Sequence, residues 1–284
     1  VVLFNFCGVI YVALNQYDAG IDCYNRALKI KPNFAQAHNN IGIAFREKGE
    51  LATSIGAFKQ ALKLDPTYAA AHNNLGISMK IIGDFDAAIE CFKQALKINP
   101  NYAQAHNNMG NAFMDKVELD AAIDSYKSAL KLEPDFADAY YNMGNALRVK
   151  GSLGAAIDSY KRALKLKPDF ADAYNNMGTT LKDHGEINQA IDSYKRALKL
   201  KPDFADAHNN MGLALVQKDD LGAAMESYKW ALTIKPDFAE ANNNMGIALM
   251  EQGEFDAAID SYKRALQLKP DYVDAHNNMG VVLV

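Results

Sequence analysis

Hydrophobic and polar residues along the chain follow a pattern that repeats every 34 residues. All eight prolines are 34 residues apart and occupy position 32 when positions are counted from Val1. The repeats are residues 1–34, 35–68, 69–102, 103–136, 137–170, 171–204, 205–238 and 239–272, with a partial ninth at 273–284. Repeats of this length stack on their neighbours and share a continuous core, so we predict one elongated domain over residues 1–284.

Each repeat predicts two amphipathic helices. In the fifth repeat, apolar residues recur at helical spacing between residues 139 and 147, which predicts a first or A helix. Gly151 then ends that pattern, and a second stripe over residues 153–164 predicts a B helix that stops before Pro168. The aspartate after the proline is predicted to cap the next A helix. These aspartates are Asp135, Asp169, Asp203, Asp237 and Asp271.

Small residues occupy two fixed places in the repeat. Position 8 is glycine from Gly8 to Gly280, and position 27 is alanine from Ala27 to Ala265. A residue with little or no side chain lets another helix approach the backbone closely. We therefore expect tight helix packing at both positions.

Composition and charge exclude several classes of protein. The chain is 49% hydrophobic and 23% charged, as in globular proteins, and no run is apolar enough for a membrane-spanning helix. Its formal net charge is -4, whereas nucleic-acid binding needs a cationic surface. We therefore expect neither nucleic-acid binding nor membrane insertion.

The cysteines and the chain ends give weaker information. Cys7, Cys23 and Cys91 are too few and too unevenly spaced for a disulfide framework or a zinc ribbon, so we expect buried, reduced thiols. The first residues lack the pattern of a signal peptide, which favours a cytoplasmic location. Both ends fall within the repeat pattern, and we expect the chain to be a segment of a longer polypeptide.

The period and its fixed residues resemble the tetratricopeptide repeat over the whole chain. In the sixth repeat these residues are Tyr174, Gly178, Leu181, Ala190, Tyr194, Ala197 and Pro202. The resemblance implies an all-α fold, a right-handed superhelical solenoid of antiparallel helix pairs. It would contain eight full repeats and one extra helix.

Two segments look most like the repeats of O-linked N-acetylglucosamine transferases, plant SPINDLY-type proteins and bacterial relatives. They are residues 170–178 (FADAYNNMG) and 204–212 (FADAHNNMG). In those proteins the A helices line a concave surface, and an asparagine ladder there holds extended peptide backbone. The resemblance implies that Asn142, Asn176 and Asn210 face such a groove.

Position 6 is asparagine in every repeat after the first, which has Phe6. The residues are Asn40, Asn74, Asn108, Asn142, Asn176, Asn210, Asn244 and Asn278. Asparagine within a helix is less favourable than alanine by roughly 0.5 kcal/mol, so a compensating role is expected. A carboxamide both donates and accepts, and can therefore bind extended backbone of any sequence. Two alternatives are bonds between neighbouring helices and simple copying of a duplicated repeat, although positions 9, 12 and 13 vary among the copies.

Acidic residues lie four positions before the asparagines of the later repeats. They are Asp138, Asp172, Asp206, Glu240 and Asp274, whereas earlier repeats have Gln36, Ala70 and Gln104. We predict a groove that grows acidic towards the C-terminus and favours ligands with basic or hydroxyl side chains. The alternative is a solvated helix face.

Other candidate residues are better explained by helix packing than by metal binding or catalysis. His38, His72, His106, His208 and His276 share position 4. Equivalent neighbouring helices lie about 8–10 Å apart, too far for these rings to share one zinc ion, so we predict no metal site. No catalytic motif or cofactor-binding motif is present, and we predict that the chain is not an enzyme. Trp230 replaces the arginine of other repeats and is expected on the outer surface, where it is either a contact site or a chance substitution.

The sequence thus predicts a non-catalytic scaffold that binds a protein or an extended peptide in a groove lined by the A helices. One alternative is the substrate-recognition arm of a larger enzyme such as a glycosyltransferase. Another is self-assembly, because apolar chain ends would mate head to tail. The residues expected in that contact are Val1, Val2, Phe4, Val281, Val282, Leu283 and Val284.

Overall fold

A computed structural model describes residues 1–282, which form seventeen α-helices and no strand. The A helices are α1 (Val2–Ala13), α3 (Ala35–Glu47), α5 (Ala69–Ile81), α7 (Ala103–Asp115), α9 (Ala137–Val149), α11 (Ala171–Asp183), α13 (Ala205–Gln217), α15 (Ala239–Glu251) and α17 (Val273–Val282). The B helices are α2 (Tyr17–Ile30), α4 (Leu51–Leu64), α6 (Phe85–Ile98), α8 (Leu119–Leu132), α10 (Leu153–Leu166), α12 (Ile187–Leu200), α14 (Leu221–Ile234) and α16 (Phe255–Leu268). The predicted all-α array of eight helix pairs and one extra helix is confirmed.

A residue with a left-handed backbone ends most A helices, as the glycine at position 15 predicts. Gly151 has a φ of +84°, a conformation that glycine adopts without steric cost. Three repeats place a different residue in the same conformation, namely Asn15, Val117 and Asp219.

The turns from B to A helices differ from the prediction. Asp169, Asp203 and Asp237 do not cap the next helix, because each lies one residue before the N-cap. The N-cap is an aromatic residue that makes no side-chain cap hydrogen bond, at Phe170, Phe204 and Phe238. A lysine three residues earlier lies over each of these rings, with Nζ 4.4–4.7 Å from the ring centroid. The basic residue at position 31 therefore makes a cation–π contact in the turn.

Packing divides the chain into two compact units, Val1–Ala146 and Leu147–Val284. In the first unit, α3, α5 and α7 each pack on the B helix of their own repeat and on the preceding B helix, and α1 packs on α2. The predicted close approaches are confirmed, since a Cβ atom on Gly110 would lie only 2.6 Å from Cε1 of Tyr126. The alanines at position 27 of this unit are fully buried.

The second unit uses the same packing. Gly178 lies against the ring of Tyr194, where an added Cβ atom would be 2.7 Å from Cε1. Leu164 is 7% exposed and belongs to the core of this unit. The single domain expected over residues 1–284 stays a prediction.

The A helices lie on the inner side within each unit. Consecutive helices among α1, α3, α5 and α7 contact each other directly, and so do those among α11, α13, α15 and α17, whereas no two B helices of one unit do so among residues 1–282. This places one row of A helices side by side, and we call the exposed part of that row the inner face. Among the described helices, none is both long and apolar enough to cross a membrane.

Candidate functional site on the inner face

The asparagines at position 6 form hydrogen bonds between neighbouring A helices. In each case Nδ2 donates to Oδ1 of the asparagine at position 5 of the preceding repeat. The bonds run from Asn40 to Asn5 (3.1 Å), Asn74 to Asn39 (3.0 Å), Asn108 to Asn73 (3.0 Å), Asn142 to Asn107 (3.1 Å), Asn210 to Asn175 (3.1 Å), Asn244 to Asn209 (2.9 Å) and Asn278 to Asn243 (3.0 Å). One sequence-based alternative, bonding between neighbouring helices, is thus realised for one atom of each of these seven carboxamides.

The position-5 asparagines were not singled out by sequence reasoning. Asn39, Asn73 and Asn107 are each 3% exposed and accept the bonds just described. The signal for them is the Asn-Asn pair that recurs in most A helices, interrupted in the fifth repeat by Tyr141. Buried carboxamides need hydrogen-bond partners, so the Asn-Asn pair has a structural role in joining neighbouring A helices.

The Oδ1 atoms of the position-6 asparagines differ in whether they accept a hydrogen bond. Asn40, Asn108 and Asn176 accept at Oδ1 from Asn39, Gln104 and Asn175 respectively. Within residues 1–282, Oδ1 of Asn74, Asn142 and Asn210 accepts no hydrogen bond. These oxygens are therefore available to an outside donor.

A polar cavity of about 260 Å³ opens on the inner face of the first unit. Asn142, Asn111 and Tyr126 lie in its wall, together with the ion pair of Lys80 and Asp115, whose atoms are 3.0 Å apart. The Tyr126 hydroxyl donates to Oδ1 of Asn111 at 2.8 Å. This bond leaves the Nδ2 group of Asn111 as a donor beside the free Oδ1 of Asn142.

The inner face of the second unit becomes more apolar along the chain. In the sixth repeat the Tyr194 hydroxyl donates to Oγ1 of Thr179 at 3.2 Å. In the next two repeats the residues equivalent to Thr179 are Leu213 and Ile247. The hydroxyls of Tyr228 and Tyr262 are accordingly buried without a hydrogen-bond partner among residues 1–282. Burial raises the pKa of both tyrosines.

The predicted acidic row lies in the first turns of the later A helices. All five residues are exposed, namely Asp138, Asp172, Asp206, Glu240 and Asp274. Glu240 is 3.8 Å from Nζ of Lys269. Their carboxylates therefore face solvent, and their role in binding stays a prediction.

The position-4 histidines contact the preceding turn. Nε2 of His72, His106, His208 and His276 donates to the carbonyl oxygen of the proline six residues earlier, at 2.9–3.4 Å. Burial lowers the pKa of His106 and His208, which favours their neutral form. No group of three or more potential metal ligands occurs in the described part of the chain.

The cysteines and the chain ends are more exposed than a core position would be. All three cysteines are free but half-buried, and not fully buried as expected. Val2 and Val281 are 78% and 67% exposed, and Val1, Phe4 and Val282 are half-buried. Leu283 and Val284 lie outside the described residues.

Comparison with a protein family identifies the repeats. The profile described as "TPR repeat" matches eight times, at residues 8–47, 44–80, 81–117, 110–148, 144–185, 180–219, 212–253 and 246–284. Comparison with curated protein sequences gives no significant match.

Solved structures share the fold. In the crystal structure of the APC/C hetero-tetramer Cut9-Hcn1, a chain with 17% identity gives a TM-score of 0.70 over 94% of this protein. This protein spans only 53% of that chain. MamA is 34% identical with a TM-score of 0.55, covering 58% of this protein and 97% of MamA.

YrrB is another similar structure, described as a TPR protein with an unusual peptide-binding site. It is 24% identical with a TM-score of 0.56, covering 66% of this protein and 96% of YrrB. The matched profile spans nearly all of the sequence, and the helix pairs repeat with the family's period. The chain therefore belongs to the tetratricopeptide (TPR) repeat family and has the architecture of a protein-interaction scaffold.

Proposed function

We propose that the inner face binds an extended peptide segment of a partner protein, and that this chain catalyses no reaction itself. The observation that carries the proposal is the polar cavity of the first unit. Asn111 and Asn142 each use one carboxamide atom in an internal hydrogen bond and present the other one. The pair offers one donor and one acceptor, which is what an extended backbone requires.

The internal bonds support binding because they fix the carboxamides in advance. Asn142 is held through Nδ2 by Asn107, and Asn111 is held through Oδ1 by Tyr126. A side chain that is already oriented loses less conformational entropy when a ligand arrives. The structural bonds and the proposed binding role are therefore compatible.

Negative charge on the later A helices favours one kind of ligand at the C-terminal end of the groove. The exposed carboxylates of Asp206, Glu240 and Asp274 recur in the first turns of α13, α15 and α17. Surface charges of one sign steer ligands of the opposite sign. We expect basic or hydroxyl side chains on the part of the peptide that lies there.

The test uses a substitution that the repeat itself supplies. The second and third repeats have the pairs Ile43 with Phe58 and Ile77 with Phe92 where the fourth has Asn111 with Tyr126. The double variant Asn111→Ile/Tyr126→Phe therefore keeps a natural packing pair and removes two of the polar groups of the cavity, including the Nδ2 donor of Asn111. A peptide selected from a displayed random library on the unmodified protein should bind this variant at least about tenfold more weakly, by fluorescence anisotropy.

The matched control is Thr179→Ile/Tyr194→Phe, which makes the same exchange in the second unit. Equal peptide affinity for both double variants and the unmodified protein, with unchanged melting temperatures, would contradict the proposed cavity.

The same groove could serve as the substrate-recognition arm of a larger enzyme such as a glycosyltransferase. The resemblance of residues 170–178 and 204–212 to the repeats of such enzymes favours this alternative. The full-length open reading frame tests this alternative. A catalytic domain next to the repeats would support a substrate-recognition arm, and a reading frame without such a domain would contradict it.

Self-assembly is a second candidate because α1 exposes a large apolar surface. Val2, Leu3, Phe6 and Leu14 are 78%, 72%, 61% and 61% exposed. We propose a head-to-tail contact between Val1, Val2 and Phe4 of one copy and the C-terminal valines of another. Analytical ultracentrifugation should show mass rising with concentration, and Phe6→Lys should reduce that rise. A strict monomer at high concentration would contradict the contact.

A further inference from the structure

An open groove of about 520 Å³ lies on the outer side of the second unit, away from the asparagine row. It runs between α12 and α14, and α13 forms its floor. Ile191, Met211 and Leu215 supply apolar surface there, and Trp230 forms one wall. Its volume is within the range of about 300–1,000 Å³ that is typical of ligand sites.

Trp230 is held in place although it is 58% exposed. Its ring stacks on that of His208, with centroids 6.1 Å apart and an interplanar angle of 19°. Nε2 of His208 in turn donates to the carbonyl oxygen of Pro202 at 3.1 Å, which fixes the imidazole. The indole is therefore a fixed, accessible surface, and such aromatic residues are enriched in binding hot spots.

The two neighbouring repeats carry a positive charge where this groove has an indole. The equivalent residues are Arg196 and Arg264, and the guanidinium of Arg196 lies 5.9 Å from the ring centroid of Tyr174. The seventh repeat thus exchanges a solvated cation for apolar surface at this one position.

A lysine on the rim of the groove lacks the ion pairs of its equivalents. Lys48 and Lys116 at position 14 each bind two carboxylates, at 2.7 and 3.0 Å and at 2.7 and 2.7 Å. For Lys218, one of these partner positions is the neutral Asn188. The other is Asp220, whose carboxylate accepts from the backbone N–H of Ala223 at 3.2 Å. Lys218 consequently makes no ion pair within residues 1–282.

The charged side chains at the rim have a formal sum of +1, since Lys195, Lys218 and Lys229 stand against Asp220 and Glu226. The carboxylate of Glu226 is 2.7 Å from Nζ of Lys229, so it is already neutralised. Lys195, on the opposite rim, makes no ion pair in the described part of the chain. An occupant that complements this groove needs apolar surface for its floor and negative charge for its rim.

We propose that this groove binds a segment of a partner protein in which large apolar side chains are followed by acidic residues. The apolar side chains pack between Trp230 and the floor formed by Met211 and Leu215. A carboxylate that follows them pairs with Lys218. This site is separate from the proposed peptide site on the inner face.

Trp230 provides a specific reporter because it is the single tryptophan of the chain. The probes are a panel of short synthetic peptides without tryptophan, each with adjacent leucine and phenylalanine residues followed by a run of glutamates. Titration should shift the tryptophan emission to shorter wavelength in a saturable manner. Matched peptides with lysine in place of glutamate should bind at least about tenfold more weakly.

Two charge-reversal variants separate the groove from general charge effects. Lys218→Glu should weaken glutamate-peptide binding by about tenfold or more. Lys263→Glu makes the same change on the outer side of α16, at a lysine outside the groove, and should leave affinity unchanged. With labelled peptides, Trp230→Arg should also lose binding while keeping the melting temperature, because arginine occupies this position in other repeats.

Four results would overturn the proposal, and the first three concern peptide binding. They are the absence of a saturable shift across the panel, equal binding of glutamate and lysine peptides, and equal affinity of Lys218→Glu and the unmodified protein. A fourth is an emission shift without peptide that grows with protein concentration together with the sedimenting mass, since a second copy of the chain would then fill the groove.

Discussion

The aromatic residue at position 24 shows how a single side chain depends on its partner. Tyr126 and Tyr194 donate to the polar residue at position 9 of their repeats, whereas Phe58 and Phe92 accompany isoleucine at that position. Tyr228 lies beside Leu213 at position 9, and its hydroxyl has no hydrogen-bond partner in the part of the chain that the structure describes. A buried hydroxyl without a hydrogen bond retains its full desolvation cost.

Tyr228→Phe should therefore stabilise the protein by about 1 kcal/mol, because it removes a buried polar atom that bonds to nothing. Tyr126→Phe makes the same chemical change where the hydroxyl is bonded to Asn111, and should destabilise by about 1 kcal/mol. Urea unfolding followed by circular dichroism measures both changes. The same sign of change in both variants would show that the hydroxyl environments do not differ as described.

The asparagine rows show what residue-scale reasoning from sequence can reach. The recurrence of Asn142 and its equivalents predicted a ladder of amides that binds peptide, and this binding role stays a prediction; in the structure Nδ2 of Asn142 is bonded to Asn107 of the neighbouring A helix. The sequence did not indicate that Nδ2 of Asn142 would donate a hydrogen bond to Asn107, because this bond joins residues that are 35 apart and lie on two helices. Its geometry depends on how neighbouring repeats stack, which no single repeat specifies.

At the scale of the helix, the residue at position 15 adopts a left-handed backbone conformation that strains a residue other than glycine. Val117 has a φ of +61° and is 70% exposed, so a β-branched residue adopts a left-handed conformation without packing contacts that would offset its cost. Five repeats have glycine in this conformation, from Gly49 to Gly253.

Val117→Gly should raise the free energy of unfolding by about 1 kcal/mol, since glycine avoids the clash of Cβ in the left-handed region. The reverse change, Gly151→Val, should lower it by a similar or larger amount. Thermal unfolding monitored by circular dichroism provides the comparison. A lower melting temperature for Val117→Gly would contradict the assignment of strain.

Helix existence was more predictable than helix capping. The apolar stripes between residues 139 and 164 predicted two helices and the break at Gly151, because helical periodicity and glycine conformation are local properties. The cap at Asp169 was wrong, since the turn places Phe170 at the N-cap. Whether a carboxylate reaches a helix end depends on a shift of one residue, and the sequence pattern does not resolve such a shift.

At the scale of the whole molecule, buried tyrosines recur in both compact units. Burial raises the pKa of Tyr24 and of Tyr194 to about 12, from an ordinary value of 10.0. The folded protein thus retains these protons at a pH where the unfolded chain releases them. Their contribution to stability is present below pH 10 and is lost as pH rises towards 12.

The free energy of unfolding should accordingly fall steeply between about pH 10 and 12, with tyrosine ionisation appearing at the same transition. Urea titrations across this range, with absorbance of the phenolate, measure both events. Normal ionisation of all tyrosines near pH 10 in a protein that stays folded would contradict the assigned burial.

The repeat period determined most of the architecture, because every repeat packs by the same contacts as its neighbours. It did not indicate the division between Ala146 and Leu147, since the 34-residue pattern continues through that point. Nor did it distinguish the groove beside Trp230, which depends on Trp230 in the seventh repeat and on Asn188 in the sixth.

The central claim is that the position-6 carboxamides bind peptide in addition to joining the A helices. Replacing Asn142 alone would leave Oδ1 of Asn107 buried without its donor and would confuse binding with stability. The direct measurement therefore compares Asn107→Ala with Asn107→Ala/Asn142→Ala, because both variants lack the internal bond and differ only in the proposed contact. The library-selected peptide should bind the double variant at least about tenfold more weakly than the single variant. Equal affinity for the two variants would contradict the account.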